Sequence, residues 1–162
     1  MIPRLKKIYQ EEISQNLIKS LSIKNAMEVP KLEKIVLNMG LGLDASDSKI
    51  LKSIQTDLGN LTGQLPIVTK SKKAVANFKT REGVPLGLKV TLRKNNMYFF
   101  LDRLITMALP RIKDFRGLNP DSFDQEANYS FGIKEHVIFP EVSFDKIEKM
   151  RGLDITVVTS TK

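Results

Sequence analysis

The sequence predicts an α+β fold, in which helices pack on one face of a single antiparallel or mixed β-sheet and the other face stays open. Two observations predict it. Segments with apolar residues at alternate positions are interspersed with segments of helical spacing, in the order α-β-α-β-β-α-β-α-β. The 162 residues show no internal repeat, low-complexity tract or linker, so we expect one domain over 1–162 with a buried core.

The elements are predicted from apolar periodicity and from their end signals. The clearest strand is GLKVTLR, because Leu88, Val90 and Leu92 fall on one face and polar residues on the other. The run NNMYFFLDRLITMALP is apolar on most sides and should be the most buried helix, ending near Pro110. In the first half of the chain we expect a helix at 4–21 with one core face, a strand at 33–39, and a helix containing Ile50, Ile54, Leu58 and Leu61. Asp44 or Ser46 can cap the start of that helix, and Gly63 can end it. Further along we expect strands at 64–70 and 87–93, a helix at 95–110, a strand near 128–133, a short helix near 144–150 and a strand at 153–159.

A glycine turn, Gly40-Leu41-Gly42, follows the first predicted strand. With Ala45 in the third place, its spacing satisfies a permissive form of the dinucleotide-binding fingerprint. A nicotinamide site also needs an acidic residue at the end of the next strand, yet that strand ends in the basic stretch 69–73. We therefore interpret the glycines as a strand-to-helix corner and expect no cofactor.

The positive charge of the chain is concentrated in one segment. The formal net charge is +8. Between Pro66 and Lys94 there are eight basic residues and one acidic residue, whereas the rest of the chain holds eighteen basic and seventeen acidic residues. Clustered charge of one sign favours a polyanionic partner for this segment.

The composition offers little for catalysis, metal binding or membrane insertion. There is no Cys, and His136 is the only imidazole, so neither a thiolate nucleophile nor a typical zinc set can be assembled. No apolar stretch approaches the ~18 residues of a membrane span, and Glu11 and Glu12 are unlike a signal or transit peptide. We expect a soluble, unprocessed protein with no catalytic residue and no bound metal.

The polar side of the predicted sheet is the first candidate RNA-binding surface. Its amides, hydroxyls and cations can hydrogen-bond to phosphate, sugar and base edges. The alternative is an ordinary solvated sheet face, although several of its strands belong to the basic segment. Strand phasing places on this side Asn38, Gln64, Lys70, Lys89, Thr91, Arg93, Asn128 and Ser130.

A long basic stretch, KKAVANFKTREGVPLG, is predicted to project as a loop over about residues 72–86. Its cations are interleaved with Phe78 and with Val84-Pro85, as in surfaces that approach RNA. Two alternatives stay open: a flexible solvated insertion, or an aromatic ring that packs locally. Mutual repulsion of the cations and the shortage of apolar residues favour a mobile loop in the free protein.

Five motifs follow one another over nearly the whole chain: KIVLNMGLG, TGQLPIVTKSKKAVANFKTREGVPLGLKVTLR, RLITMALPRIKDFRGL, NYSFGIKEHVIFPE and RGLDITVVT. In order and spacing they resemble the bacterial-type large-subunit ribosomal protein L5 family. The resemblance implies a non-enzymatic protein that attaches 5S rRNA to the large subunit in the central protuberance. It also implies contacts with 23S-type rRNA, peptidyl-site tRNA, neighbouring large-subunit proteins and a small-subunit head protein of the S13 family, on a cytoplasmic or organellar ribosome.

The resemblance also assigns roles to residues by position. Joined to the polar sheet side, it implies a 5S rRNA-binding set of Asn38, Gln64, Lys70, Ser71, Lys72, Lys89, Thr91, Arg93, Asn128 and Ser130. The loop that faces the tRNA would contribute Lys73, Asn77, Phe78, Lys79, Thr80 and Arg81. An intersubunit bridge within 111–141 would use Arg111, Asp114, Arg116, Glu135 and Glu141.

The sequence departs from the family's pattern at two places. The stretch before NYS usually has glycines around an arginine, whereas here it reads Asp124-Gln125-Glu126-Ala127, which changes the polarity expected at the bridge. Most members continue past the last strand into a short helix, whereas the sequence here ends at Lys162. Two other classes are kept as alternatives: a free-standing RNA-binding regulator or chaperone of the same fold, and a nucleotide-dependent enzyme.

Overall fold

The computed structural model describes residues 2–113, 115–142 and 149–160, and in these it shows a five-stranded sheet with helices on one face. The strand order is β2-β3-β1-β5-β4 and every pair is antiparallel, which confirms the predicted α+β class. The strands are β1 Leu32–Gly40, β2 Ile67–Lys70, β3 Pro85–Arg93, β4 Tyr129–Ile133 and β5 Leu153–Thr159. The α-helices are α1 Arg4–Ile8, α2 Ser14–Ser20, α3 Ser48–Thr62 and α4 Lys94–Arg103. The short helix expected near 144–150 lies almost entirely outside the described residues.

The core lies between one face of the sheet and the helices α3 and α4. Because side chains alternate along a strand, one row from each strand points into it. The opposed core pairs on β1 and β3 are Ile35 with Leu92, Leu37 with Val90 and Met39 with Leu88, all at most 2% exposed. The helices cover these pairs with Leu58, Leu61, Met97 and Phe100.

The N-terminal helix lies where periodicity predicts it, and its apolar face is covered only in part, with Leu5, Ile8 and Leu17 half-buried. A π-helical turn over Tyr9–Ile13 joins α1 to α2. Such a turn adds a residue to the helical repeat and so rotates the apolar stripe about the axis. As a result, Leu5 packs against the core, whereas Ile13 is 42% and Leu21 56% exposed.

The helix predicted at 95–110 is buried along one side rather than on most sides. After α4 it continues as a π-helical turn over Leu104–Ala108 and ends in a 3-10 turn over Leu109–Arg111. Phe100 is fully buried, with its ring centroid 5.9 Å from that of the equally buried Phe139. Phe99, on the other side of the helix, is 40% exposed.

The glycine turn forms a corner between β1 and α3. Gly42 has a φ of +59°, in the left-handed region that glycine favours. The helix cap differs from the expected Asp44 or Ser46, because the Asp47 carboxylate accepts the Lys49 N–H at 2.8 Å. This corner is therefore explained by backbone geometry alone.

Asp44 instead ties the corner to the start of β5. Its carboxylate accepts hydrogen bonds from Lys149 Nζ and Arg151 Nη2, each at 3.0 Å, and these bonds hold the pKa of the carboxyl below its usual range. The Arg151 backbone in turn accepts a hydrogen bond from the His136 N–H at 3.1 Å. His136 is only 3% exposed, so the single imidazole of the chain is a structural residue.

Candidate nucleic-acid interface

The side of the sheet turned away from the helices carries a polar surface, which we call the open face. Antiparallel register brings opposed residues of neighbouring strands to the same side. Across β1 and β3, the pairs on this side are Lys34 with Arg93, Val36 with Thr91, and Asn38 with Lys89. With β4 and β5 included, the residues of these four strands on the open face are Lys34, Val36, Asn38, Lys89, Thr91, Arg93, Ser130, Gly132, Asp154, Thr156 and Val158. The predicted sharing of one side by Asn38, Lys89, Thr91, Arg93 and Ser130 is confirmed.

Two cations are directly opposed on the open face. Lys34 on β1 faces Arg93 on β3, and like charges in that position destabilise a sheet. Among the residues the structure describes, neither side chain forms a hydrogen bond or an ion pair, and the same holds for Lys89. An anion placed between Lys34 and Arg93 would relieve their repulsion, which makes this pair a candidate phosphate-binding position.

The neutral polar groups of the open face are held in place by hydrogen bonds. The Asn38 amide donates to Asp154 Oδ2 at 3.4 Å. On the next strands, the hydroxyls of Ser130 and Thr156 lie 3.0 Å apart. Oriented amides, hydroxyls and carboxylates of this kind can read base edges.

Gln64 borders the open face from the end of α3. Its side-chain amide donates to the Thr91 carbonyl oxygen at 3.4 Å. The Gln64 side chain thus reaches the backbone of β3, although Gln64 precedes β2 rather than belonging to the strand predicted at 64–70.

Lys70, which is predicted on the polar side of the sheet, ends β2 at a register irregularity. Ile67 opposes Lys89 and Thr69 opposes Gly87, so these two β2 residues join the open-face side. Lys70 follows a register irregularity and lies opposite Pro85, which belongs to the same alternate row of β3 as Gly87 and Lys89. It is exposed at the strand end, and its role in RNA binding stays a prediction.

The basic loop (72–86) continues the β2–β3 hairpin. Ser71 N–H donates to the Val84 carbonyl at 2.8 Å, the Ser71 hydroxyl donates to the Lys73 carbonyl at 2.6 Å, and Val75 pairs with Thr80 near the tip. Phe78 at the tip is 73% exposed, so the alternative of local ring packing is wrong. The loop's other exposed side chains are Lys72, Lys73, Ala74, Val75, Ala76, Asn77, Lys79, Arg81 and Glu82.

Asn128, expected on the open face, is engaged in a turn. Its amide donates to Asp124 Oδ2 at 2.9 Å and its side-chain oxygen accepts the Thr159 N–H at 3.2 Å. The bonds from Asn128 lower the pKa of the Asp124 carboxyl. Ala127 in the same turn has a φ of +56°, a conformation that costs a non-glycine residue about 1–2 kcal/mol. A glycine at this position would adopt the same φ without that cost.

The residues expected at the bridge divide into exposed and internally paired groups. Arg111, Arg116 and Glu135 are exposed, whereas Asp114 lies outside the described residues. Glu141 Oε1 accepts a hydrogen bond from Arg103 at 2.5 Å, and its Oε2 is buried without a hydrogen-bond partner within the described chain. The carboxylate of Glu141 thus anchors its segment to α4.

Sequence reasoning missed Asp154 and Thr156 as members of the polar surface. The signal was present, because in LDITVVT the apolar Leu153 and Ile155 alternate with Asp154 and Thr156. Lys34 carried the same signal on β1. The sequence alone could not show that β5 pairs with β1 inside the sheet rather than lying at the edge of the sheet.

The described ranges, 2–113, 115–142 and 149–160, hold neither a metal-binding group nor a helix fit to cross a membrane. No group of three or more His, Asp or Glu side chains there is placed to hold a metal ion. No helix in those ranges combines the length and apolar character needed to cross a bilayer.

Comparison with known proteins places the chain in a family. The family model for ribosomal protein L5 matches residues 25–81, and that for the ribosomal L5P family C-terminus matches residues 85–162. The chain is 65% identical to the large ribosomal subunit protein uL5 of Pelagibacter ubique, covering 99% of this chain and 87% of that protein. It is 56% identical to the uL5 proteins of Dichelobacter nodosus and Clostridium botulinum strain Loch Maree, covering 89% and 90% of their lengths. The chain therefore belongs to the bacterial-type ribosomal protein L5 family.

Proposed function

We propose that the chain binds 5S rRNA through its open face and attaches it to the large ribosomal subunit in the central protuberance. Membership of the family makes it a structural constituent of the large subunit and not an enzyme. The observation that carries the proposed surface is the opposition of Lys34 and Arg93, both without an internal partner in the described chain. A backbone phosphate between them would gain two charge-assisted hydrogen bonds.

The remaining open-face groups would add selectivity to this electrostatic attachment. Asn38 and Asp154 supply a donor and an acceptor beside Lys89. A carboxylate accepts from a base amino group and repels phosphate, so Asp154 favours a base edge over the backbone at its position. The proposed surface therefore combines two functions, phosphate anchoring at Lys34 and Arg93 and base contact at Asn38 and Asp154.

The identity of the RNA that co-purifies with the chain tests this proposal. We expect 5S rRNA, identified by length and sequence, and sedimentation of the chain with large subunits through a high-salt wash. A free-standing regulator or chaperone would be released by the wash, and a nucleotide-dependent enzyme would bind a mononucleotide in a titration. Recovery of a different RNA, or of none, would overturn the assignment of the open face to 5S rRNA.

We further propose that the basic loop contacts peptidyl-site tRNA. The exposed ring of Phe78 can stack on a base or a ribose, and the exposed cations around it can pair with phosphates. Mobility of the loop in the free protein stays a prediction, since the cations repel one another until a polyanion is bound.

Shortening the basic loop between Ala74 and Glu82 should leave most of the 5S rRNA affinity intact, because the open face is unchanged. The salt dependence of 5S rRNA binding should fall by less than about one unit of slope per phosphate contact removed. In ribosomes rebuilt with the shortened protein, chemical protection of the tRNA elbow should be lost. Complete loss of 5S rRNA binding, or unchanged tRNA protection, would mean that the two RNA contacts are divided wrongly between sheet and loop.

The segment 111–141 is proposed to form the intersubunit bridge to the small-subunit head. Arg111, Arg116 and Glu135 support this by their exposure at one edge of the sheet, away from the basic loop. The ion pair between Glu141 and Arg103 would hold the segment against the helical layer when the segment contacts the small subunit.

A further inference from the structure

A groove of about 640 Å³ lies between the 109–119 segment and the outer edge of β4. Its lining includes the apolar side chains of Ile112, Phe115, Leu118, Phe131 and Ile133. Phe115 is 42% and Leu118 46% exposed, so apolar surface is presented to solvent rather than enclosed. Exposed apolar surface in a concave site is typical of a docking position.

β4 offers a backbone edge along the same groove. It is the last strand of the sheet, paired with β5 on one side only. At its other side the described chain provides just one bridge, between Phe123 and Tyr129 at the start of the strand. Beyond that point an extended chain can be added to the sheet by backbone hydrogen bonds, with alternate side chains entering the groove.

The charge around the groove is opposite to the charge of the segment that builds it. Residues 111–141 contain four basic and six acidic residues. All four basic residues line the groove, namely Arg111, Lys113, Arg116 and Lys134, whereas Glu135 is the acidic residue among the described lining residues. The carboxylates of Asp124 and Glu141 are engaged elsewhere, with Asn128 and Arg103. The groove mouth is thus locally positive on a segment that is negative overall.

We propose that this groove binds an extended segment of a partner protein in which apolar side chains are flanked by carboxylates. The apolar side chains fill the space beside Phe115 and Leu118, the backbone pairs with β4, and the carboxylates meet the basic residues at the mouth. An RNA occupant fits less well, because apolar side chains line much of the groove and the free edge of β4 favours pairing with a peptide backbone. The inference deepens the proposed bridge and rests on it, since the same segment forms both.

Photocrosslinking in intact ribosomes tests this inference. The photoreactive residue p-benzoylphenylalanine replaces Phe115, and the matched control replaces Phe99, which is exposed to a similar extent at 40% but lies on α4 outside the groove. We expect the Phe115 probe to crosslink to protein, with Asp or Glu next to the attachment point in the mass-spectrometric sequence. The Phe99 probe should give no crosslink to that segment.

A charge reversal separates docking from accidental proximity. Combined with the Phe115 probe, Arg116→Glu should lower the yield of this crosslink about tenfold. A tenfold change corresponds to a loss of about 1.4 kcal/mol of binding free energy. The Lys52→Glu reversal on α3 should leave the yield unchanged. Normal sedimentation of both variants with large subunits shows that they fold and assemble.

The possible failures are distinguishable. If the chain sediments with large subunits but the probe attaches to rRNA, to a basic protein segment, or to nothing beyond the Phe99 level, the groove inference is overturned and the proposed function stands. If the unsubstituted chain does not sediment with large subunits, the proposed function is overturned and the groove inference with it.

Discussion

Replacing Phe100 with Ala should destabilise the protein by about 3–5 kcal/mol, the usual cost of removing a buried aromatic ring from a core. Phe100 is 0% exposed and packs with its centroid 5.9 Å from that of Phe139, which is also 0% exposed. The ring connects α4 to the segment that follows β4, so the cavity would be bounded by elements that cannot easily collapse into it. The loss would be a large fraction of the stability of a typical domain.

Denaturant unfolding of the isolated chain measures this effect. The midpoint should fall at an unchanged slope, which identifies a loss of stability rather than a change in the surface exposed on unfolding. Phe99→Ala is the matched control, because that ring is on the same helix and 40% exposed. It should cost on the order of 1 kcal/mol or less. Equal losses for the two variants would contradict the placement of α4 in the core.

Replacing Arg93 with Ala should weaken 5S rRNA binding about ten- to a hundredfold, since a lost charged hydrogen bond is worth about 1.5–3 kcal/mol. The fold should be unaffected, because Arg93 is exposed and has no hydrogen-bond or ion-pair partner in the described chain. Removing Arg93 also removes its repulsion with Lys34. Some stabilisation of the free protein is therefore expected together with the weaker binding.

Binding titrations at near-physiological salt measure the affinity, and a salt series measures the charge contribution. Arg93→Ala should lower the salt slope by about one unit, as expected when one phosphate contact is removed. Lys52→Ala, which removes an exposed cation from the helical layer, should leave both quantities close to those of the parent. If Arg93→Ala binds 5S rRNA as tightly as the parent, the assignment of the open face is wrong.

Local patterns were sufficient for the class of the fold and for much of the open face. Alternation has a period of two residues within one strand, so it separates Leu88 and Val90 from Lys89 and Thr91 without any knowledge of the neighbouring strands. The same holds for the end of α3, where Gly63 adopts a φ of +67° as a helix-terminating glycine. The motifs that carry the family resemblance are likewise properties of the linear sequence.

The hydrogen-bond partners of polar side chains could not be predicted from these local patterns. Asn128 and Glu141 looked free in the sequence, yet the first is bonded to Thr159 and the second to Arg103. These partners are distant in sequence and meet only when the sheet and the helices have assembled. In the N-terminal helix, the exposure of Ile13 and Leu21 has a local cause, the π-helical turn over Tyr9–Ile13. A prediction that assumes a constant helical period does not allow for such a turn.

The sequence by itself determined the α+β class, the family, the concentration of positive charge between Pro66 and Lys94, and the side of β1 and β3 on which each residue lies. Only the tertiary structure decided that Lys34 opposes Arg93, that Asp154 meets Asn38, and that the β2–β3 register is irregular between Thr69 and Lys70. The physical reason is that periodicity orients a side chain relative to its own strand, whereas register depends on how strands far apart in the sequence pair. An RNA-binding surface built across several strands is therefore specified residue by residue only after they have paired.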